Sequence, residues 1–361
     1  MKPALLLGAA ASLCACSAAN HVERVQDDTT VVAYRNNDSD SGVFRNLHPR
    51  VAVYPENCTE DCYPETPAVA CQAMGENCQF VGAQPRPKLV TGFTIQWFGH
   101  ASFMIETPDK QQWLLDPVSK QFDWPVDVAF KLAGGFYRNE PSWLSESQLQ
   151  ATDAVFYSHI HYDHFNKDDI AAIGTQAQYF TPLNFADYFP DGGYRIREMA
   201  WYGRSQLGEM KIHFVPANHF SGRIWVPFIY DDNEKTLWGG WLFEHQGKKL
   251  FFAGDTGYSA HFQEIRAKYG EIDVCLMPIA SYHHPEKSIW YRYVHTTPED
   301  ALVAAQELGC KVMIPWGYGN VSWKMGDISS HSALLRLLHM KQKLKSDVPV
   351  YVLNEGESLV L

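Results

Sequence analysis

From residue 157 to residue 164 the chain runs Tyr-Ser-His-Ile-His-Tyr-Asp-His, which puts three imidazoles and a carboxylate within six positions. Imidazole nitrogen and carboxylate oxygen are donors that suit zinc and similar divalent ions. In extended chain, side chains at i and i+2 point the same way. His159 and His161 therefore reach one ion together, while Asp163 and His164, past the turn, face a second position. Lone histidines are usually surface residues, but four candidate ligands in this order after a strand point to a metal site.

The flanks say what carries these groups. Asp153-Ala154-Val155-Phe156-Tyr157-Ser158 has the apolar run of a buried strand, and Asn166-Lys167-Asp168-Asp169-Ile170 has the capped, acidic start of a helix. The ligands thus occupy a strand-to-helix loop, where α/β folds place their chemistry. Further strands are predicted over Lys211–Pro216 and Lys249–Ala253. The first runs into Ala217-Asn218-His219 and the second into Gly254-Asp255-Thr256-Gly257.

The H-x-H-x-D-H pattern resembles the metallo-β-lactamase superfamily, and the later segments follow that family's order. The resemblance implies metal ligands at His159, His161, Asp163, His164 and His219, with Asp255 as a bridging carboxylate and Asp116 as a supporting one behind the ligand loop. It also implies a four-layer αββα sandwich of the α/β class. Helix and strand alternation after residue 297 agrees with that class: Thr297-Pro298-Glu299-Asp300 is a capped helix start, Gly309 ends the helix, and Lys311–Pro315 returns as a strand.

A narrower resemblance rests on Asn233–Trp241 with its Trp-Gly-Gly-Trp, on Phe251–Tyr258, on Met277–Tyr282 and on His295–Ala301. These look like N-acyl-phosphatidylethanolamine-hydrolysing phospholipase D and its bacterial relatives, over roughly residues 91 to 320. In that family two zinc ions hold a hydroxide that attacks the phosphodiester phosphorus. Carried to this chain, Asp163 orients the hydroxide and His295 acts on the substrate side as an acid/base group. One departure is plain. The family's last ligand lies in a strand-end Ile-His-Trp-Gly, and here Met313-Ile314-Pro315-Trp316-Gly317 has no histidine. The cofactor expectation is therefore one or two zinc ions. Asp163, His164 and Asp255 could hold the second with waters, or His295, His331, His283 or His284 could substitute; His331 reads equally well as a solvent-facing residue at a helix start.

Composition bounds the remainder. A net charge of −11, with no long Lys/Arg run, argues against nucleic acid as a partner. Residues 1–15 read as a signal peptide of the lipoprotein type, cleaved before Cys16, which implies a lipid-anchored periplasmic protein, with soluble secretion as the alternative. Residues 16–90 read as a tether and extension, and residues 91–361 as the hydrolase domain. Cys58, Cys62, Cys71 and Cys78 are expected to form two disulfides in an unspecified pairing, and Cys275 and Cys310 to stay buried and free. Phe122, Trp124, Phe130, Phe136, Tyr137 and Trp143 mark a candidate lipid-facing rim, or ordinary core. The expected partners are a phospholipid or small ester and, through the anchor, a membrane surface. Three functions remain open: a phosphodiesterase, a hydrolase of lactones or other esters, and a metal-binding surface protein with reduced catalysis.

Overall fold

In the computed structural model, residues 18–25, 42–48, 57–73, 76–122, 127–128, 132, 142–223, 225–226, 230–283, 288–323 and 328–361 are described. The signal segment, Cys16, Trp124, Phe130, Phe136, Tyr137 and His284 lie outside them.

Alternation in the strands sets the layers. In Gln112–Leu115, Trp113 and Leu115 face one apolar cluster while Leu114 faces another; in Ala154–Phe156, Val155 likewise points away from Ala154 and Phe156. A strand buried on both faces needs an apolar run rather than strict alternation, which is why both segments are almost wholly hydrophobic. The outer face is covered by the helices Glu146–Gln150 and Lys167–Ile173, through Leu149, Ile170 and Ile173. The inner face meets a second sheet, with Trp113 on Phe243 at 5.5 Å, Phe156 on Trp241 at 5.3 Å and Phe103 on Phe252 at 6.1 Å. The helices His261–Tyr269, Pro298–Leu308 and Ser332–Lys343 cover the far side of that sheet. The result is the four-layer αββα sandwich.

The first sheet has eight strands among the described residues, in the order His21–Val25, Arg195–Met199, Gln178–Pro182, Ala154–Phe156, Gln112–Leu115, Phe103–Glu106, Thr94–Trp97 and Ser358–Val360. The second has six: Arg204–Leu207, Met210–Val215, Gly240–His245, Lys248–Phe252, Val274–Pro278 and Val312–Trp316. Thr94–Trp97, Gln112–Leu115 and Ala154–Phe156 run in one direction, as do Met210–Val215 and Lys248–Phe252 in the other sheet. The carboxyl ends of these strands carry the residues that matter below.

Two expectations change here. Cys275 and Cys310 are not free but bonded to each other. Cys275 lies in Val274–Pro278 and Cys310 just before the neighbouring parallel strand Val312–Trp316, so both thiols arrive at one place. The other pairs are Cys58–Cys62 and Cys71–Cys78, the latter directly across the hairpin of Val69–Ala73 and Glu76–Phe80. The described parts of the stretch read as a tether and extension are also built in. His21–Val25 extends the first sheet in parallel with Arg195–Met199, and its Arg24 meets the buried Glu198 at 2.7 Å. Phe44 is fully buried in the main core. Tyr63 reaches Tyr282 at 3.0 Å and accepts from Arg336, which forms a buried pair with Glu299.

Candidate metal centre

Five loops at strand carboxyl ends converge on one place. They hold His100, Asp116, the 158–164 run, His219 and Asp255. Their supporting contacts fix which nitrogen of each ring is bare, as in metal sites where an outer hydrogen bond sets the tautomer.

Asp116 is the hub. Fully buried at φ +40°, it accepts from the Ser158 amide at 2.7 Å, the Ser158 hydroxyl at 2.5 Å and His164 Nδ1 at 2.8 Å. Burial pushes its pKa up against those three bonds. With its proton given to Asp116, the Ser158 hydroxyl accepts from His159 Nδ1 at 2.9 Å. His219 Nδ1 donates to the Val294 carbonyl at 2.8 Å. His159, His164 and His219 thus all turn Nε2 inward, with a lone pair on the neutral rings of His159 and His219.

Those lone pairs crowd. His159 Nε2 lies 2.8 Å and His219 Nε2 lies 3.3 Å from His161 Nδ1, which has at most one proton to offer. His164 Nε2 is buried without a well-formed hydrogen bond, 3.2 Å from Asp255 Oδ2 and 3.7 Å from Asp163 Oδ2. Such orphaned donors fit a divalent cation: His159, His161 and His219 for a first ion, Asp163 and His164 for a second, and Asp255 between them. Asp255 Oδ2 is also 3.9 Å from His219 and 3.3 Å from His295 Nε2.

Electrostatics divides the cluster. Burial, with neighbouring imidazoles, holds His159 and His219 well below the ordinary histidine value and His161 down to about 4. Burial would lower His164 too, but Asp255, Asp163 and Asp116 outweigh it and raise it well above that value. Burial would raise Asp163 and Asp255, and His164 with its neighbours instead keeps both low.

The site residues read from sequence therefore come together, His295 included. His331 and His283 do not join them. His331 is buried against Tyr318 and meets Ser330, and His283 is exposed. Sequence reasoning missed His100, whose Nε2 is 3.0 Å from Asp163 Oδ2. It also missed Asn46, which accepts from the His219 amide at 3.0 Å and donates to the His219 carbonyl at 2.8 Å. The Trp-Gly-Gly-Trp motif supports the ligand loops: Trp241 Nε1 donates to the Tyr157 carbonyl at 3.1 Å and Trp238 Nε1 to Asn46 at 3.0 Å. A Cβ on Gly239 would lie 2.4 Å from the Val215 carbonyl, so only glycine permits that approach. Of the proposed aromatic rim, Phe122 is buried against Trp323 and Tyr162 beside the site, and Trp143 is exposed.

The comparisons place the chain in a family. A profile of the Beta-lactamase superfamily domain matches residues 112–318, more than half of the chain. An uncharacterized protein of Mycobacterium tuberculosis is 34% identical over 233 residues, which are 62% of this chain and 58% of that protein, so the chain spans under two thirds of that relative's length. N-acyl-phosphatidylethanolamine-hydrolyzing phospholipase D 1 of Caenorhabditis elegans is 25% identical over 74% of this chain and 75% of its own. Among solved structures, the metallo hydrolase Igni18 of Ignicoccus hospitalis superposes with a TM-score of 0.52 at 24% identity, over 74% of this chain and 97% of its own.

Proposed function

The chain belongs to the beta-lactamase superfamily, and from that premise we propose that it is a metal-dependent hydrolase acting on a phosphodiester, in the manner of a phospholipase D, with an N-acylated phospholipid or a related diester as substrate. The observation that carries the reading is the convergence of bare imidazole nitrogens and two low-pKa carboxylates on one buried point. The likeness to the worm phospholipase D over three quarters of both chains supports the diester class.

When bound, zinc supplies Lewis acidity, lowering the pKa of water from about 15.7 towards 7 and polarising a substrate oxygen. The protein does the rest. Asp163, ionised and only 7% exposed, accepts a hydrogen bond from the attacking water and so aims it. His295 sets its Nε2 3.3 Å from Asp255 Oδ2, at the edge of the ligand cluster, and we assign this ring the acid/base role toward the departing oxygen. Phe220, packed on His161 at 4.4 Å and His219 at 4.8 Å, gives the ligand cluster an apolar wall. We assign the membrane surface as the place of action, through a lipid on Cys16. No helix among the described residues is long and apolar enough to cross a membrane.

The test is incubation with vesicles containing N-acyl-phosphatidylethanolamine. Phosphatidic acid should appear, and should be absent with His159→Ala. Turnover of lactones or carboxylic esters without any phosphate product would overturn the diester assignment, and metal retention without turnover of either would overturn the enzyme reading. Cys16→Ser should move the protein from the membrane to the soluble fraction.

A further inference from the structure

We propose that His100 is a ligand of the second ion position, completing the set of Asp163, His164 and Asp255. This deepens the metal-hydrolase reading and rests on it.

The argument begins with one proton. The Ser322 hydroxyl donates to the Gly317 carbonyl at 2.6 Å, so toward His100 Nδ1, at 2.9 Å, its oxygen can only accept. His100 therefore carries its hydrogen on Nδ1, and Nε2 presents a lone pair. That lone pair lies 3.0 Å from Asp163 Oδ2, itself a lone-pair donor, in a site where His100 is 4% exposed. Two such atoms in a buried place repel unless a cation, a proton or a metal ion, lies between them. The remaining spacings agree: Asp163 to His164 is 3.7 Å and His164 to Asp255 is 3.2 Å. Ligand atoms about 2.1 Å from a tetrahedral zinc lie about 3.4 Å from one another. The ligand atoms of His100, Asp163 and His164 all fall within 4.8 Å.

The ring is held in place independently of Asp163. Its edge meets Trp323 at 5.0 Å and His164 at 5.4 Å. Its backbone has φ +49°, left-handed and costly for a residue with a Cβ. The preceding Gly99 lets it approach the loop that carries Ser322, since a Cβ there would fall 1.8 Å from Val321 Cγ2. This loop follows the strand Val312–Trp316, whose Pro315 has no side-chain donor. Two other candidates among the described residues fail on position: His295 groups with His219 and Asp255, and His331 belongs to none of the ligand clusters found there.

The experiment is Co²⁺ and Zn²⁺ titration of metal-depleted full-length protein, read by elemental content after dialysis and by the Co²⁺ visible spectrum. Wild type, His100→Asn and Ser322→Ala are compared; asparagine tolerates the left-handed backbone. Wild type should hold two ions. His100→Asn should hold one, with the first-site spectrum unchanged, whereas Ser322→Ala should hold both with second-site affinity weaker by roughly 10–100-fold, as when a supporting group is lost. If His100→Asn keeps two ions with a loss no greater than that of Ser322→Ala, His100 is only a positioning residue and the proposal fails. If His100→Asn does not fold, Ser322→Ala decides, and unchanged second-site affinity overturns the proposal. A wild type that binds no ion would sink the metal-hydrolase reading itself, and one that binds a single ion, lost on His159→Ala, would sink the second position alone.

Discussion

The two ends of the candidate metal centre are built from different materials. The first position is nearly pure imidazole: His159, His161 and His219, each stripped of charge by burial. The second is rich in carboxylate, and there Asp163, Asp255 and Asp116 drive His164 the opposite way, towards its charged form. Neutral nitrogen donors wait for a cation without needing one, whereas a cluster of buried carboxylates needs positive charge at all times. When no ion is bound, a proton on His164 meets that need. The contrast implies that the first position binds metal without titrating, and that the second exchanges a proton for its ion.

The widest break comes from Asp255, which touches both ends. Asp255→Ala should abolish hydrolysis and remove both ions, as followed by metal content and product release. Next is the difference between the ends: His159→Ala should cost the first ion and all turnover, while His164→Ala costs the second ion and leaves the first, a distinction that Co²⁺ spectra resolve. A smaller effect should come from Asp116→Asn, which leaves the ligands in place but loosens His164 and Ser158; metal affinity should fall by roughly 10–100-fold.

The pH dependence of metal-free protein sharpens the comparison further. His159, His161 and His219 have folded pKa values below the ordinary 6.5. On unfolding they take up protons the folded state excludes, so stability should fall as pH drops below about 6.5 and towards 4. His164 is raised, so its contribution is complete below 6.5 and lost as pH climbs through its higher folded value. Thermal unfolding should therefore show a maximum near the ordinary histidine value, with His161→Asn shallower on the acid side and His164→Asn flatter on the alkaline side. Zinc should flatten the alkaline side, where the ion replaces the His164 proton, and leave the acid side in place, since bound metal excludes the same protons. As a control remote from either end, Cys310→Ser should lower stability by about 2–4 kcal/mol through loss of the Cys275 bond, with metal content unchanged.

How much of this was legible in the sequence follows from distance along the chain. The 158–164 run could be read because one strand end and one turn place its ligands, and the sandwich because that run resembles the metallo-β-lactamase superfamily, with helix and strand alternation after residue 297 in agreement. His100 could not be read as part of the cluster, since the hydrogen bond that orients its ring comes from Ser322, 222 positions away. Asn46 supports His219 from 173 positions away, inside a stretch whose polar composition suggested a tether. His21–Val25 misled for a related reason: it is an edge strand with mostly exposed side chains, tied down by backbone pairing and by ion pairs such as Arg24–Glu198. The Cys275–Cys310 bond was hidden because apolar strand surroundings look the same for a free thiol and a bonded one.

The most direct test of a two-ended centre is the metal count of wild-type protein, by elemental analysis after purification without a chelator or a histidine tag. Two ions per chain is the predicted result. A single ion, retained by His164→Ala and lost by His159→Ala, would contradict the second position, and no ion at all would contradict the metal-dependent reaction.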